Sequence, residues 1–355
     1  MTTNKKQPLN HICLIRLSAL GDCCHALAVI ENIQRSSPKT KITWVIGKTE
    51  HQLFKDIKGV EFIVADKKKP FESFFKIKKE LRGRCFDVLL NIHASMSSNL
   101  ISLAIKAKKK VGFDRDRARD LQNLFCNEYI QPIKNQHVVD GMLEFTKYLN
   151  LDSAAKWTPL ILEPEEGFAR GYIHSNKVTC LISPCSSQRY GDQYNRSWSI
   201  NNFAKLIKYL ISLENLQVIM TGGNSPPEQL YSKELDDLFG NEILNLIGKT
   251  SIREMAALIK HSDFIISPDS GPAHIATIMG KPVIGLYAMS NPKRSGPYNS
   301  DEWLINKYDQ ALKVFMDKSP TEVKFGQKIK QPEAMDLIET RDVIEKVERL
   351  IKHES

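Results

Sequence analysis

The stretch DFIISPDSGPAHIATIMGKPVIGLY, residues 263–287, contains one complete strand–helix–strand pattern. Its apolar run at 263–267 predicts a buried strand, 271–279 predicts a helix, and 282–287 predicts a second buried strand. Pro272 suits the first turn of that helix, where a missing N–H costs nothing. Strands that alternate with helices of this length are typical of βαβ units, so the stretch predicts an α/β protein with a parallel sheet.

The same alternation continues through most of the chain on both sides of this stretch. In the first half, strands are predicted at 11–16, 41–46, 60–65 and 86–91, with helices at 22–35, 71–82, 95–107 and 138–149. After an irregular segment at 150–170, strands are predicted at 177–183, 216–220 and 243–247, with helices at 199–213, 226–239 and 251–260. We therefore predict two doubly wound domains, 1–165 and 166–335. A C-terminal helix, 336–355, is expected to pack back on the first domain.

The charge of the chain is unevenly distributed. Residues 1–160 contain 27 basic and 16 acidic residues, a net of +11, whereas residues 161–355 contain 23 and 25, a net of −2. We therefore expect the first half to face an acidic partner or an anionic surface. No basic stretch is interleaved with aromatic residues and no helix-turn-helix pattern is present, so nucleic acid is not an expected partner.

Cysteine and histidine usage argues against disulfides and metal sites. The seven cysteines are odd in number and form no C-x-x-C pair, which is typical of a reduced, cytosolic protein. The histidines lack the spacing of metal ligands, so we expect no metal cofactor. No run of 18 apolar residues is present to span a bilayer. The glycine signatures of dinucleotide-binding and P-loop sites are also absent.

The loop RLSALGD, residues 16–22, joins the first predicted strand to its helix. Ligands of doubly wound sheets bind beyond the carboxyl ends of the strands, so this loop is a candidate site. Asp22 has two interpretations here. It is either a capping residue, which accepts hydrogen bonds from the first N–H groups of the helix, or a general base. From the residues alone both remain open.

The loop that begins at Ser267 has the features of a diphosphate site. Asp269, Ser270 and Gly271 precede the helix, whose first N–H groups and positive dipole end suit a phosphate. His274 is expected one turn further along, near the same place. An ordinary capped helix with a buried histidine is the alternative, although the length of the motif favours a site.

Two further segments carry candidate binding groups. The loop at 183–198 contains Ser186 and Ser187 as small donors, and Arg196 as a cation for a phosphate. In GFDRDRARD, residues 112–120, three arginines alternate along the chain. They are interpreted either as an anion-binding group or as a cluster that pairs with its own aspartates.

Together these segments resemble glycosyltransferase family nine, the ADP-heptose:lipopolysaccharide heptosyltransferases. The matching features are RLSALGDCCHALAVI (16–30), the block that begins at residue 112, NRSW (195–198) and SPDSGPAHIATIMGKPVIGLYAMSNPKRSGPY (267–298). They occur in the order found in the family and cover most of the chain. One departure is Arg196, which stands where many members carry lysine.

The resemblance implies the GT-B architecture, in which two Rossmann-like doubly wound domains face a central cleft. It implies transfer of a heptose from ADP-heptose, with inversion and without a metal, and it places Asp22 as the general base. The donor-binding positions it implies are Ser186, Ser187, Arg196, Thr250, Asp269, Ser270, Gly271 and His274. For the acceptor we assign His93, Arg115, Arg117 and Arg119, on the basic first domain.

The expected acceptor is the acidic inner core of lipopolysaccharide, either at a keto-sugar or at a first heptose. We accordingly expect a cytoplasmic monomer that rests on the anionic inner leaflet of the cytoplasmic membrane of a Gram-negative bacterium. The alternatives are a family member that uses another nucleotide sugar or another acceptor, and a non-catalytic module that binds nucleotides or nucleic acid.

Overall fold

The structure is a computed structural model that describes residues 9–186 and 195–354. The chain divides into two compact units, Met1–Trp157 and Thr158–Ser355. The boundary lies eight residues before the predicted one at 165. Each unit contains one six-stranded sheet in which the paired strands run parallel, so the predicted fold class is confirmed. The predicted Ser187 lies outside the described residues.

The sheet of the first unit has the order β3-β2-β1-β4-β5-β6. Its strands are β1 (His11–Ile15), β2 (Lys41–Gly47), β3 (Val60–Ala65), β4 (Phe86–Asn91), β5 (Ala107–Gly112) and β6 (Glu128–Tyr129). Its helices are α1 (Leu20–Ser36), α2 (Lys48–Phe54), α3 (Pro70–Glu80), α4 (Met96–Ser102) and α5 (Val138–Tyr148), with a 3₁₀ turn at Gln122–Leu124. Strand β1 lies at the centre, pairing Cys13 with Thr43 of β2 and with Leu89 of β4.

The sheet of the second unit has the order β12-β11-β10-β7-β8-β9. Its strands are β7 (Val178–Ile182), β8 (Leu216–Met220), β9 (Leu244–Asn245), β10 (Phe264–Pro268), β11 (Val283–Tyr287) and β12 (Ile305–Asn306). Its α-helices are α6 (Glu165–Arg170), α7 (Ile200–Ile211), α8 (Pro226–Phe239), α9 (Ile252–His261), α10 (Gly271–Ile278), α11 (Pro292–Ser295), α12 (Tyr308–Met316) and α13 (Thr340–Glu354). Short 3₁₀ turns cover Gly240–Glu242, Asp301–Trp303, Pro320–Glu322 and Pro332–Leu337.

The C-terminal helix α13 packs within the second unit. It contacts α7 and β11, and its apolar side chains at i, i+4 and i+7 (Val343, Val347 and Leu350) are buried in the core of that unit. This differs from the expectation that the helix returns to the first domain. The stripe of apolar residues on α13 packs against α7, whose Phe203, Leu206 and Leu210 belong to the same core cluster.

Strand β5 was not predicted, because its sequence AKKKVG looks like exposed surface. The structure pairs it with β4 and β6, and its lysines are satisfied by local partners. The Lys108 ammonium forms an ion pair with Asp87 at 2.7 Å, and Lys110 Nζ donates to the carbonyl of Ser102 at 2.8 Å. Helix α4 is accordingly shorter than predicted, since the chain must turn back before β5.

Six of the seven cysteines are buried and Cys85 is exposed. Cys85 immediately precedes β4, at the amino end of that strand. Burial raises the pKa of the thiols of the other six, for example Cys185 to about 12. In the described part of the chain, no helix combines the length and the apolar content that crossing a membrane requires.

Candidate active site

Each sheet has a switch point, where chain order reverses between two central strands: β1 and β4 in the first unit, β7 and β10 in the second. Loops that leave neighbouring strands in opposite directions at such a point leave room for a ligand. The loops after these four strands contain most of the predicted site residues.

Asp22 lies in the first turn of α1, where it takes part in capping the helix, and its role as a general base stays a prediction. The helix begins after Ala19, which has no side-chain acceptor, and Asp22 Oδ2 accepts a hydrogen bond from the Ala19 amide at 3.3 Å. The same oxygen forms an ion pair with Arg16 Nη2. The Asp22 side chain is still 30% exposed, so a substrate hydroxyl can approach it.

Arg16 is held by the end of the sheet. Its Nη1 donates to the carbonyl of Ile92 at 2.8 Å, and its own carbonyl accepts from the Trp44 indole at 3.2 Å. The guanidinium is therefore fixed between the loop after β4 and the carboxylate of Asp22. A fixed cation of this kind keeps the neighbouring carboxylate in one orientation.

His93 follows β4 and lies beside this ion pair. Its Nδ1 accepts a hydrogen bond from the amide of Leu17 at 3.2 Å. Burial, together with the positive charge of Arg16, lowers the pKa of His93 to about 3. The imidazole is therefore neutral at physiological pH and offers an acceptor a hydrogen bond rather than a positive charge.

Glu50 is a second, buried carboxylate near this site, and the sequence did not single it out. It lies in the first turn of α2, and burial raises its pKa, against the effects of its own backbone amide, Lys67 and Arg16. Gly47, the last residue of β2, is the N-cap of α2, and a Cβ at this position would collide with the carbonyl of Leu17. Glycine is therefore required there if the loop after β1 is to keep its position.

The three predicted arginines of 112–120 separate into two kinds. Arg117 is used to fold its own loop: it pairs with Asp114, and its Nη1 and Nη2 donate to Gln136 Oε1 at 2.9 Å and to the Gln131 carbonyl at 2.7 Å. Arg115 and Arg119 are exposed, and neither forms an ion pair with any described residue. The self-paired interpretation thus fits Arg117, while the other two side chains face solvent.

In the second unit, Asp269 follows β10 and organises the loops around it. Its Oδ2 accepts from the Ser290 hydroxyl at 2.8 Å and lies 3.1 Å from Arg196 Nε. Its carbonyl accepts from Arg196 Nη2 at 2.9 Å. His274 Nε2 lies 4.0 Å from the other carboxylate oxygen. The structure therefore brings Asp269, Arg196 and His274 together, and Asp269 itself is largely enclosed.

Ser186 and Arg196 bracket residues 187–194. The Ser186 hydroxyl accepts from the amide of Arg196 at 2.7 Å, and the Ser186 amide donates to the hydroxyl of Ser197 at 3.1 Å. Ser186 therefore fixes the backbone on which Arg196 is carried. This structural contact was not anticipated, because it joins residues ten apart in the chain.

The start of α10 has no side-chain cap. Its N-cap residue, Ser270, instead pairs its hydroxyl with that of Ser267 at 2.7 Å, and Pro272 has no N–H. Gly271 and Ala273 carry the first amides of this helix, which no residue four positions earlier within the helix can accept from. This is the arrangement expected of an anion site at a helix start.

Three buried hydroxyls near the carboxyl ends of the second sheet have no hydrogen-bond partner among the described residues: Thr221, Thr250 and Tyr287. Thr250 was predicted, while Thr221 and Tyr287 were not. Burial raises the pKa of the Tyr287 hydroxyl, and the charges of Asp269 and Arg196 also act on it, so it lies close to that pair. Strand β11 has the apolar sequence typical of a buried core strand. Only the buried hydroxyl distinguishes Tyr287 from the other residues of that strand. Across residues 9–186 and 195–354, no group of three or more His, Cys, Asp or Glu side chains is arranged to hold a metal ion.

Comparison with known proteins gives consistent matches. The family model described as "Glycosyltransferase family 9 (heptosyltransferase)" matches residues 74–323, more than half of the chain. The chain is 36% identical over 340 residues to the lipopolysaccharide core heptosyltransferase OpsX of Haemophilus influenzae, covering 96% of both chains. It is 21% identical to lipopolysaccharide heptosyltransferase 1 of Salmonella typhimurium, covering 85% of this chain and 95% of that protein.

Solved structures show the same fold. A glycosyltransferase family 9 protein from Veillonella parvula has a TM-score of 0.78 at 20% identity, covering 98% of this chain and 99% of that one. The Escherichia coli heptosyltransferase WaaC with ADP has a TM-score of 0.73 at 17% identity, covering 96% and 99%. With the two doubly wound sheets, this likeness confirms the predicted GT-B fold of two Rossmann-like domains.

Proposed function

Because the chain belongs to glycosyltransferase family 9, we propose that it transfers a heptose from ADP-heptose to the inner core of lipopolysaccharide. The relative that is 36% identical is a lipopolysaccharide core heptosyltransferase, and two neighbouring structures of another heptosyltransferase contain ADP or a fluorinated ADP-heptose. These similarities support the donor and the general acceptor class. The acceptor sugar is either a keto-sugar or a first heptose, and defined truncated acceptors distinguish the two.

In the proposed reaction Asp22 is the general base. A sugar hydroxyl is a weak nucleophile until its proton is removed, so a carboxylate within hydrogen-bond reach is needed. The hydroxyl oxygen bonds to the anomeric carbon of the heptose while its proton passes to Asp22, and the bond to ADP breaks. A single displacement of this kind inverts the anomeric centre. Arg16 orients the carboxylate, and neutral His93, whose Nδ1 accepts from the Leu17 amide, can donate a hydrogen bond from Nε2 to the acceptor.

The donor would be held by the second unit. As the bond to the diphosphate breaks, negative charge develops on the leaving ADP. Arg196 and the amides at the start of α10 supply positive charge there, so the proposed mechanism requires no metal. Asp269 fixes Arg196, while Thr250 and His274 offer further polar contacts to the nucleotide and sugar.

The acceptor would be held by the first unit, which carries the whole basic excess of the chain. The inner core carries carboxylates and phosphates, which Arg115 and Arg119 can bind because both face solvent. We assign Arg117 to shaping the loop rather than to direct contact. The lipid anchor of such an acceptor would bring the enzyme to the anionic inner face of the cytoplasmic membrane. We propose that it acts there as a monomer.

The observation that carries this proposal is the accessible carboxylate of Asp22, fixed by Arg16 at the carboxyl end of β1. The direct test is incubation of the purified protein with ADP-heptose and defined truncated acceptors, with products identified by mass. We expect one heptose to be added to an inner-core acceptor, and no transfer from UDP- or GDP-sugars. Transfer from another nucleotide sugar, or only to an unrelated acceptor, would contradict the proposal.

A further inference from the structure

Two phenylalanines of α3 face solvent instead of the core. Phe71 and Phe75 are 68% and 65% exposed, although both are large apolar side chains. They are four residues apart, so they lie one above the other on the same face of the helix. Ser73 and Ile77 on the other side of α3 are buried. The helix therefore packs normally and leaves a second apolar stripe uncovered.

This stripe is surrounded by positive charge. Residues 67–82 contain seven basic and two acidic residues, a net of +5. Lys78 and Lys79 fall on the same helical face as the two rings and are exposed. One of the two acidic residues, Glu72, is already paired with Lys69 at 3.1 Å. We call Phe71, Phe75, Lys78 and Lys79 the α3 face.

The α3 face lies towards the same edge of the sheet as Asp22. Helix α3 follows β3, so its first turn stands near the carboxyl ends of the parallel strands. The Ser97 hydroxyl donates to the Lys67 carbonyl at 3.3 Å, which ties the turn before α3 to the start of α4. Met96, next to Ser97, is also exposed. The charge of Lys67 reaches His93, which shows how close this turn is to the first site.

We propose that the α3 face docks the enzyme on an anionic lipid bilayer, with the two aromatic rings in the boundary between headgroups and acyl chains. Apolar rings flanked by lysines are the pattern of helices that lie in a membrane interface. The lysines favour this occupant over a second copy of the chain, because two such faces would bring like charges together. The inference extends the proposed function, since a lipid-anchored acceptor would then be presented at the edge that carries Asp22.

The test is co-sedimentation of the full-length protein with vesicles of phosphatidylcholine alone and of an equimolar mixture with phosphatidylglycerol. We expect binding to the mixed vesicles only. The double variant Phe71→Ser/Phe75→Ser is expected to weaken that binding by on the order of tenfold or more, because the buried apolar area is lost. Lys78→Gln/Lys79→Gln should weaken it less and reduce its dependence on salt.

A matched control comes from α8, where Leu230 and Leu238 are 50% and 60% exposed but lack flanking lysines of this density. Leu230→Ser/Leu238→Ser should bind the mixed vesicles like the wild type. Melting temperatures establish that all variants are folded. Unchanged vesicle binding by Phe71→Ser/Phe75→Ser overturns the proposal. The proposal is also overturned if the wild type is a dimer and this variant is a monomer that still binds the vesicles, because the face would then join two copies of the chain.

The vesicle assay contains no sugar nucleotide, so its outcome is independent of the proposed reaction. Transfer to a deacylated, water-soluble acceptor is measured in parallel. Vesicle binding without any transfer would contradict the proposed function and leave the docking surface standing. Transfer without vesicle binding would support the proposed function and contradict the docking surface.

Discussion

The two sheets share one strand order, but the charged side chains at their switch points come from different loops. In the first unit, the loop after β1 and the start of α1 carry Arg16 and Asp22, and the loop after β4 carries His93. In the second unit, the segment after β7 carries Arg196, and the carboxylate, Asp269, follows β10. Each switch point thus contains one arginine–aspartate pair. The aspartate follows the first strand of its unit, β1, at the first switch point, and the fourth strand of its unit, β10, at the second.

The two pairs also differ in how far the carboxylate is enclosed. Asp22 lies within the first turn of its helix, and its side chain is 30% exposed. Asp269 lies before the first residue of its helix and is 15% exposed. It forms an ion pair with Arg196 and accepts a hydrogen bond from the Ser290 hydroxyl. An accessible carboxylate such as Asp22 is the one suited to the proposed proton exchange with a substrate, while the enclosed Asp269 is better suited to holding its cation in place.

The largest effect is expected from Asp22→Asn. Asparagine keeps the size of the side chain and can still accept from the Ala19 amide, but it cannot take a proton. We expect turnover to fall by about 10²–10⁴-fold, with little change in the affinity for ADP measured by calorimetry. A folded Asp22→Asn protein with near-normal turnover would remove the base assignment and the proposed difference between the two pairs.

Asp269→Asn is expected to show the reverse pattern. Without the negative charge, Arg196 loses its ion pair, and we expect the affinity for ADP to fall by about tenfold. The control is Ser290→Ala, which removes one hydrogen bond to Asp269 but keeps the charge, and should weaken ADP binding less. Equal calorimetric affinities for wild type and Asp269→Asn would show that the enclosed pair does not serve the donor.

The smallest effect concerns acid stability at the first switch point. The pKa of His93 in the folded protein is about 3, below its ordinary value of 6.5, so between pH 6.5 and 3 the unfolded chain binds a proton that the folded protein does not bind. Stability should therefore fall as the pH drops from 6.5 towards 3. His93→Gln should be less sensitive, by about 1–2 kcal/mol near pH 5, in denaturant titrations.

The control for this experiment is His174→Gln, which changes an exposed histidine in the second unit. Its stability should follow that of the wild type across the same pH range. If the stability of His93→Gln has the same pH dependence as that of the wild type, the His93 imidazole can be protonated in the folded protein. The first switch point would then be less enclosed than the structure indicates.

Apolar alternation was sufficient to predict most of the central strands and the two-unit organisation, because strands buried on both faces are nearly continuous apolar runs. It failed at β5, where lysines occupy the strand and the stabilising partners, such as Asp87, come from a neighbouring strand. It also failed for α13, since an amphipathic helix does not encode which surface it covers. These features depend on tertiary contacts that local pattern cannot reveal.

The candidate site shows the same limit. The loops that hold Asp22 and Asp269 were found because they follow strands and begin helices. Arg16 was in the quoted motif but received no role, since its pairing with a residue six positions later requires the turn between strand and helix. Tyr287 and Glu50 were missed because one lies in an apolar strand and the other in an unpredicted helix. A buried polar atom without a partner becomes visible only in coordinates.

The exposure of Cys85 has a practical consequence. The other six thiols are buried, so a maleimide dye or spin label added near neutral pH would attach at one place without any mutation. That place precedes β4, at the end of the strand remote from His93. The native chain thus offers a single attachment point for a spectroscopic reporter, behind the surface where substrate and lipid are proposed to arrive.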